Sequence, residues 1–503
     1  MSNLLIGWAE TDITPNGKAA LEGQFAERIA EYTEKPLTAT AMAIESGGEQ
    51  AIFCSVDLVY VSWPLRDLIL DKVKKLSDEI DISKVIISAI HTHTGPGYVG
   101  KGKNEADIFM GKLSTPKEIM QRYMPSDKKY VEKENISDNK DIISREELSD
   151  YLSDKISQAI ADSWSNRKRA GFSNAFGRAA VGMCRRATYS DGSAQMWGDT
   201  NKAAFEAIEG SSDTGIELMY VFDENKKLTG VVANLACPAQ CVQHRLFYSP
   251  DFWGEAKEIL RDRFGKDLFL LALCSAAGDQ CPVDLVRWVE PESDVNDPNI
   301  TRAHPLRRKA DPSMFDLGGM KKVGRRVANE IIGVYEDGLD EMQTDVEFEH
   351  RVRVLQLPLR RVTLADEKYA EDAIKTYFDR KEGDVNYNDL GNLLEYTGII
   401  LRSEVQDEMN IVNTRAHFIK LGSVAIATNP FELFLDYGNK IKARSHAEQT
   451  FLVQLADGAE GYLPTEKAEK GGHYSAFIGS GLVGHEGGEQ LVNETLKNIN
   501  EMF

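Results

Sequence analysis

Two strand, helix, strand runs constrain this chain more than any other feature. Residues 51–56 form a near-continuous apolar stretch, a helix over 65–76 follows and is opened by Pro64, and residues 85–90 are apolar again. The same order occurs at 230–236, 252–264 and 268–273. Apolar strands joined through a helix lie parallel and are covered on both faces. The expected fold is therefore α/β: a single large domain with a mixed, multi-stranded sheet flanked by helices. Each run stops on a polar cluster, His91-Thr-His93-Thr-Gly-Pro-Gly97 in the first and Cys274-Ser-Ala-Ala-Gly-Asp279-Gln-Cys281-Pro282 in the second. Ligands of open α/β sheets collect outside the carboxyl ends of strands, so a site is expected there.

Between the runs the pattern breaks. Residues 101–150 hold 21 charged side chains in 50, or 42%, against 27% for the chain, so an insertion at about 101–145 is expected. A helix follows, with Leu148, Leu152, Ile156 and Ile160 on one stripe. A second polar stretch at 290–312 is longer than structureless connections usually run. Both segments are candidate lids. Further on, alternation over 352–357 predicts a strand, and helices are expected over 364–378 and 390–401. Residues 418–426 read as a hairpin turning at Gly422-Ser423, and 451–455 as a strand. Asn429-Pro430-Phe431-Glu432 reads as a helix start with Asn429 as N-cap and Glu432 at N3. No internal repeat is visible.

Composition narrows the function. A chain of 503 residues, 42% hydrophobic, buries a large core, which excludes a disordered tail or a disulfide mini-domain. A net charge of −20 repels phosphate backbones and anionic lipid surfaces, so neither nucleic acid nor stable membrane association is expected. The first residues carry no basic, signal-like region, and the expected location is the cytoplasm. Six cysteines without a CxxC pair read as free, buried thiols. The oligomeric state is left open.

His91 and His93 are spaced by two after a buried strand. In extended backbone they face one side, so both meet one metal, or one binds it while the other works on substrate. Glu432 reads equally as a ligand and as a carboxylate favoured by a helix dipole. Tyr462 and Tyr474 lie in turn-rich loops, where tyrosines ordinarily pack. Asp279 and Cys281 sit in a glycine-containing turn suited to an oxyanion loop or a nucleophile, and the plainer reading of Cys281 is an inert thiol unless His244 or His93 is close. Arg185-Arg186 beside Tyr189-x-Asp191-Gly192 suggests a strand edge and hairpin, where an arginine clamps a carbonyl or carboxylate, or forms a surface ion pair. Gly479-Ser-Gly481-Leu-Val-Gly484 matches a dinucleotide fingerprint but lacks its strand context, and no P-loop, HExxH or GxSxG is present.

Taken in order, Gly7-Trp-Ala-Glu-Thr-Asp12-Ile-Thr-Pro15, the HTHTGPG block, Gly278-Asp-Gln-Cys-Pro282, Asn429-Pro-Phe-Glu432 and Gly461-Tyr462-Leu-Pro-Thr465 resemble the neutral/alkaline non-lysosomal ceramidase family over nearly the whole chain. The resemblance implies one zinc ion held by two histidines, a glutamate and a tyrosine, and hydrolysis of an amide. Matched residue by residue, the ligands fall on His91, Glu432 and Tyr462, the histidine acting at the scissile amide on His93, and the oxyanion-binding arginine and tyrosine on Arg185 and Tyr474. Three departures stand out. The second zinc histidine is missing after Asn234-Leu-Ala-Cys237, leaving His244, Cys237 or Gln240 as substitutes; the serine of the family's GDxSP loop is Cys281; and neither an export signal nor room for a C-terminal immunoglobulin-like domain is evident.

The expectation is a zinc-dependent hydrolase of an amide, or an ester or lactone, in a small polar metabolite and not membrane ceramide. His91, Glu432, Tyr462 and His244 are the expected metal ligands, and His93, Arg185, Tyr474, Asp279 and Cys281 the expected catalytic residues. Two alternatives are a metal-assisted isomerase or lyase acting on a sugar acid, and a non-catalytic binding protein that has lost the metal.

Overall fold

The apolar stretches at 51–56, 85–90, 230–236 and 268–273 become the two edges of one eight-stranded sheet. The computed structural model describes residues 3–24, 26–99, 115–131, 141–286 and 314–503. The strands are β1 (Leu5–Asp12), β2 (Thr38–Ser46), β3 (Glu49–Val56), β4 (Val85–Ala89), β5 (Lys168–Arg178), β6 (Gly215–Asp223), β7 (Leu228–Leu235) and β8 (Phe269–Cys274). Across the sheet they run β8-β7-β6-β5-β1-β2-β3-β4. Only the edge pairs β3·β4 and β7·β8 are parallel, each connected through an expected helix, Trp63–Leu76 and Phe252–Phe264.

This order contains a repeat that the sequence hides. Each half lays down three strands, each antiparallel to the next, then a helix, a parallel edge strand and a second helix: Arg145–Ser165 after β4, Asp316–Gly333 after β8. The halves join where β1 meets β5, with Leu5 opposite Arg169 and Ile6 opposite Lys168.

A second sheet holds β9 (Phe348–Pro358), β10 (Ile411–Leu421), β11 (Val424–Thr428) and β12 (Gln449–Val453), in that order across it. The sheets stack through Ile6, Met42, Phe53 and Phe172 on one side and Ile419, Ile426 and Phe451 on the other. Burying each such side chain contributes about 1.5–3 kcal/mol before entropy is counted. Four helices cover the outer face of the first sheet, among them Arg145–Ser165 with its buried stripe of Leu148, Leu152, Ile156 and Ile160. Leu435–Arg444 and His485–Asn500 cover the second sheet, giving a helix, sheet, sheet, helix stack.

The hairpin turns where expected, with Leu421 opposite Val424 and Gly422 at φ +59°, a conformation glycine takes without a Cβ clash. The helix expected from Asn429 does not form there. Asn429 Oδ1 accepts from the Phe431 amide at 3.1 Å, and the Glu432 amide donates to Gly461 O at 2.9 Å, so Glu432–Leu433 pairs as a short parallel strand with Tyr462–Leu463. The helix starts later, at Leu435, whose amide is capped by Asp279 Oδ1 at 2.9 Å. The helix expected over 390–401 is broken into Tyr387–Asn392 and Leu394–Val405. Of the lid candidates, 115–131 contributes the helix Pro116–Tyr123, which packs Ile119 and Met120 against Ile374 and Phe378. Residues 101–114, 132–140 and 290–312 lie outside the described residues. Among the described residues no helix is long and apolar enough to cross a membrane.

Candidate active site

Beyond β4 the chain turns sharply at His91, whose φ of +65° is left-handed and costs a non-glycine residue about 1–2 kcal/mol. Its ring is pinned by Nδ1, which lies 2.7 Å from Val59 O. A carbonyl only accepts, so the proton sits on Nδ1 and the Nε2 lone pair points into the site. Nε2 lies 3.5 Å from Glu432 Oε2 and 3.3 Å from His93 Nε2.

His93 is oriented by a different route. Gln240 Oε1 accepts from Arg185 Nη1 at 3.2 Å, which turns Gln240 Nε2 toward His93 Nε2 at 2.8 Å. His93 Nε2 is therefore also an acceptor. Its Nδ1 is buried beneath Gly23 with no partner among the described residues, and a Cβ on Gly23 would come within 2.7 Å of the ring. Burial holds both imidazoles below their ordinary values, His93 well below with His91 adding to the effect, so both are neutral near pH 7.

Glu432 and Tyr462 are register partners in the short parallel pair, which places their side chains on one face. Burial, then the nearby Glu432 carboxylate and Tyr474, pushes the Tyr462 phenol well above its ordinary value, with Arg185 opposing. Arg185 is 3% exposed and donates through Nη2 to Tyr462 Oη at 3.3 Å and to Gly278 O at 3.0 Å. Tyr474 meets Tyr462 edge to face, with ring centroids 5.5 Å apart. Gly278 is required by close approach: a Cβ there would lie 2.2 Å from Glu432 O. His91, His93, Glu432, Tyr462, Arg185 and Tyr474 thus come together from distant parts of the chain.

The other expected residues take different places. His244 stacks on Phe315 with centroids 4.9 Å apart and faces Asp316 at 3.5 Å, and burial pushes it down to about 4. Cys237 points its Sγ at Val181 O, 3.4 Å away. Of the three substitutes for the missing histidine, Gln240 is the one that touches this cluster. Asp279 caps the helix at Leu435 and holds Arg185 through its own backbone carbonyl at 2.9 Å. Cys281 is fully buried with Sγ at 3.3 Å from Val283 O, and burial pushes its thiol up to about 12. Arg186 is turned away into an ion pair with Glu209 at 2.6 Å. Sequence reasoning passed over Arg28, which donates to His93 O at 2.6 Å, and Val59, which acts through its backbone. Neither carries a local signal.

Among the described residues no group of three or more His, Cys, Asp and Glu side chains is placed to hold a metal ion. Tyr462 lies outside that set of residue types. The donor chemistry of His91, Glu432 and Tyr462 fits a divalent cation: one neutral imidazole with its lone pair inward, one carboxylate and one phenol. The amide of Gln240 is engaged by Arg185 and His93.

No family model and no curated protein matches the sequence. Among solved structures, neutral ceramidase from Pseudomonas aeruginosa superposes with a TM-score of 0.67 at 14% identity, over 100% of this chain and 75% of that one. This chain shares its fold. A ceramidase complexed with C2 gives 0.66 at 14% identity over the same shares. At such identity the likeness concerns architecture, and the chemistry rests on the side chains described above.

Proposed function

We propose that the chain is a zinc-dependent hydrolase that cleaves an amide, or an ester or lactone, in a small polar metabolite. The observation that carries this reading is the 3.5 Å approach of His91 Nε2 to Glu432 Oε2 while His91 Nδ1 is committed to Val59. His91, Glu432 and Tyr462 would hold the metal, and three protein ligands leave a position for substrate. When bound, zinc supplies Lewis-acid polarisation of a carbonyl and activation of water at neutral pH. Arg185 and the Tyr474 phenol orient the substrate's carbonyl oxygen and stabilise charge developing on it. His93 Nε2, an acceptor at rest, takes a proton and delivers it to the leaving nitrogen or oxygen. Burial of His91, His93 and Arg185 keeps bulk water from screening these charges.

The net charge of −20 supports a soluble metabolite over ceramide in a membrane, and with it a cytoplasmic setting. In this reading the whole chain acts as one catalytic domain, with the segments at 101–145 and 290–312 setting substrate choice. The test combines elemental analysis of the wild type and His91→Ala with a screen of N-acyl amino sugars, N-acyl amino acids and lactones in 18O-labelled water, with and without chelator. One zinc per chain, lost in His91→Ala, and labelled oxygen in the product are expected. Proton exchange with no labelled oxygen in the product would replace hydrolysis by isomerase or lyase chemistry, and a metal-free wild type would remove the reading.

A further inference from the structure

Behind the candidate site runs a buried relay formed by residues outside the motifs read from the sequence. His350 on β9, His417 on β10 and Asp457, in the loop after β12, are 3%, 0% and 1% exposed. His350 Nδ1 lies 2.9 Å from Gln50 O on β3, His350 Nε2 2.8 Å from His417 Nδ1, and His417 Nε2 2.8 Å from Asp457 Oδ2. The relay crosses from one sheet to the other and ends on a carboxylate whose second oxygen turns back to the first. Asp457 Oδ1 accepts from the Ile87 amide at 3.0 Å, and the Asp457 amide donates to Ile87 O at 2.9 Å.

Ile87 stands four residues before His91, and Asp457 five before Tyr462. One side chain therefore ties the strand that delivers His91 to the loop that delivers Tyr462. Asp457 is held at φ +57°, a strained conformation that persists where the surroundings enforce it. The charged groups around it are accounted for: Arg66 Nε lies 3.5 Å from Oδ1, Arg415 Nε 3.8 Å from Oδ2 and 3.2 Å from His417 Nε2, and Lys84 bonds Glu49 and the His350 carbonyl. A carboxylate buried this completely is a poor choice for stability alone, because an apolar side chain of similar volume serves a core as well or better.

We propose that Asp457 is a positioning residue that sets the separation of His91 and Tyr462, with His417 and His350 holding its carboxylate in register. The proposal rests on the reading of His91 and Tyr462 as holders of one cation. Asparagine suits position 457 as a rescue: its Oδ1 still accepts from Ile87, and its Nδ2–H donates to His417 Nε2. In the wild type the Asp457 carboxylate only accepts, so His417 Nε2 carries the proton of that link; in the asparagine variant the proton moves to His417 Nδ1, which then donates to His350 Nε2, and His350 Nδ1 donates to Gln50 O.

The test uses the full-length chain and Co2+ as the probe, reading affinity by chelator competition and geometry by the visible spectrum. Asp457→Ala is expected to weaken Co2+ binding about tenfold or more and to change the band pattern. Asp457→Asn is expected to stay within about threefold of wild type with the wild-type spectrum. A purely structural role would lower thermal stability in Asp457→Ala and leave the spectrum of the folded fraction unmoved, and that result overturns the proposal. Should Asp457→Ala not fold, His417→Gln takes its place: it keeps the Ile87 bonds and removes the ring behind Asp457, and unchanged affinity and spectrum there overturn the proposal equally. A wild type that binds no Co2+ removes the metal-site reading itself, an outcome distinct from binding that is indifferent to Asp457.

Discussion

Replacing Gly278 by alanine separates the site's geometry from the stability of the fold. A Cβ at this position would lie 2.2 Å from Glu432 O and 2.7 Å from its carbonyl carbon, where ordinary contact begins at 3.4 Å. The two backbones must therefore part by about 1.2 Å, the difference of the first and last of those distances. The Gly278 amide bond to Leu433 O, now 2.8 Å, is strained by the same movement. Overpacking of this kind costs about 1–3 kcal/mol. For 503 residues the unfolding entropy is about 1 kcal/mol per kelvin, so Tm should fall by only about 1–3 °C. The catalytic effect is larger, since a displacement of about 1 Å at a reacting group costs on the order of 10²-fold in rate. Calorimetry of the metal-free protein, zinc titration and turnover on an identified substrate read the two effects separately. Wild-type zinc affinity and rate in a folded Gly278→Ala would refute the claim that this contact places Glu432.

Two further predictions concern groups that the sequence offered as catalytic. Burial pushes the Asp279 carboxyl from 3.8 up to about 6, so between those values the folded chain keeps a proton that the unfolded chain has lost. Its contribution to stability is complete below the lower value and is lost as pH rises through the upper one. The unfolding free energy of wild type minus Asp279→Asn should thus fall by up to about 3 kcal/mol from pH 3 to 7, and a flat difference counts against the assignment. Cys281, with its thiol pushed up to about 12, should resist alkylation at pH 8 until the chain is denatured, and Cys281→Ser should retain hydrolysis. Stoichiometric labelling of Cys281 in the folded protein would restore it as a nucleophile candidate.

The parts of the fold that were legible in the sequence are those decided by local pattern. The helix Phe252–Phe264 and the Gly422-Ser423 turn follow from periodicity and turn chemistry. The helix start read at Asn429 fails for an instructive reason: the cap that counts is Asp279, far away in sequence, and the Glu432 amide finds its partner in Gly461. Tertiary pairing overrides a sound local signal. The spacing of His91 and His93 announced a site, whereas the residues that aim them, Val59, Gln240 and Arg28, act through a carbonyl, an amide and a distant guanidinium that no spacing rule marks. Asp457 belongs to the same class, since a Leu-Ala-Asp-Gly stretch reads as a turn and nothing in it indicates a bond to Ile87.

The duplicated element order has a consequence for how this protein can be altered. One copy of the motif furnishes the imidazoles after β4, while the other furnishes Arg185, Gln240 and Gly278. Labour on the two sides is divided, so changes in the loops of the later copy would disturb the aim of His93 and the seat of Glu432 while leaving the Val59 contact that anchors His91 in place.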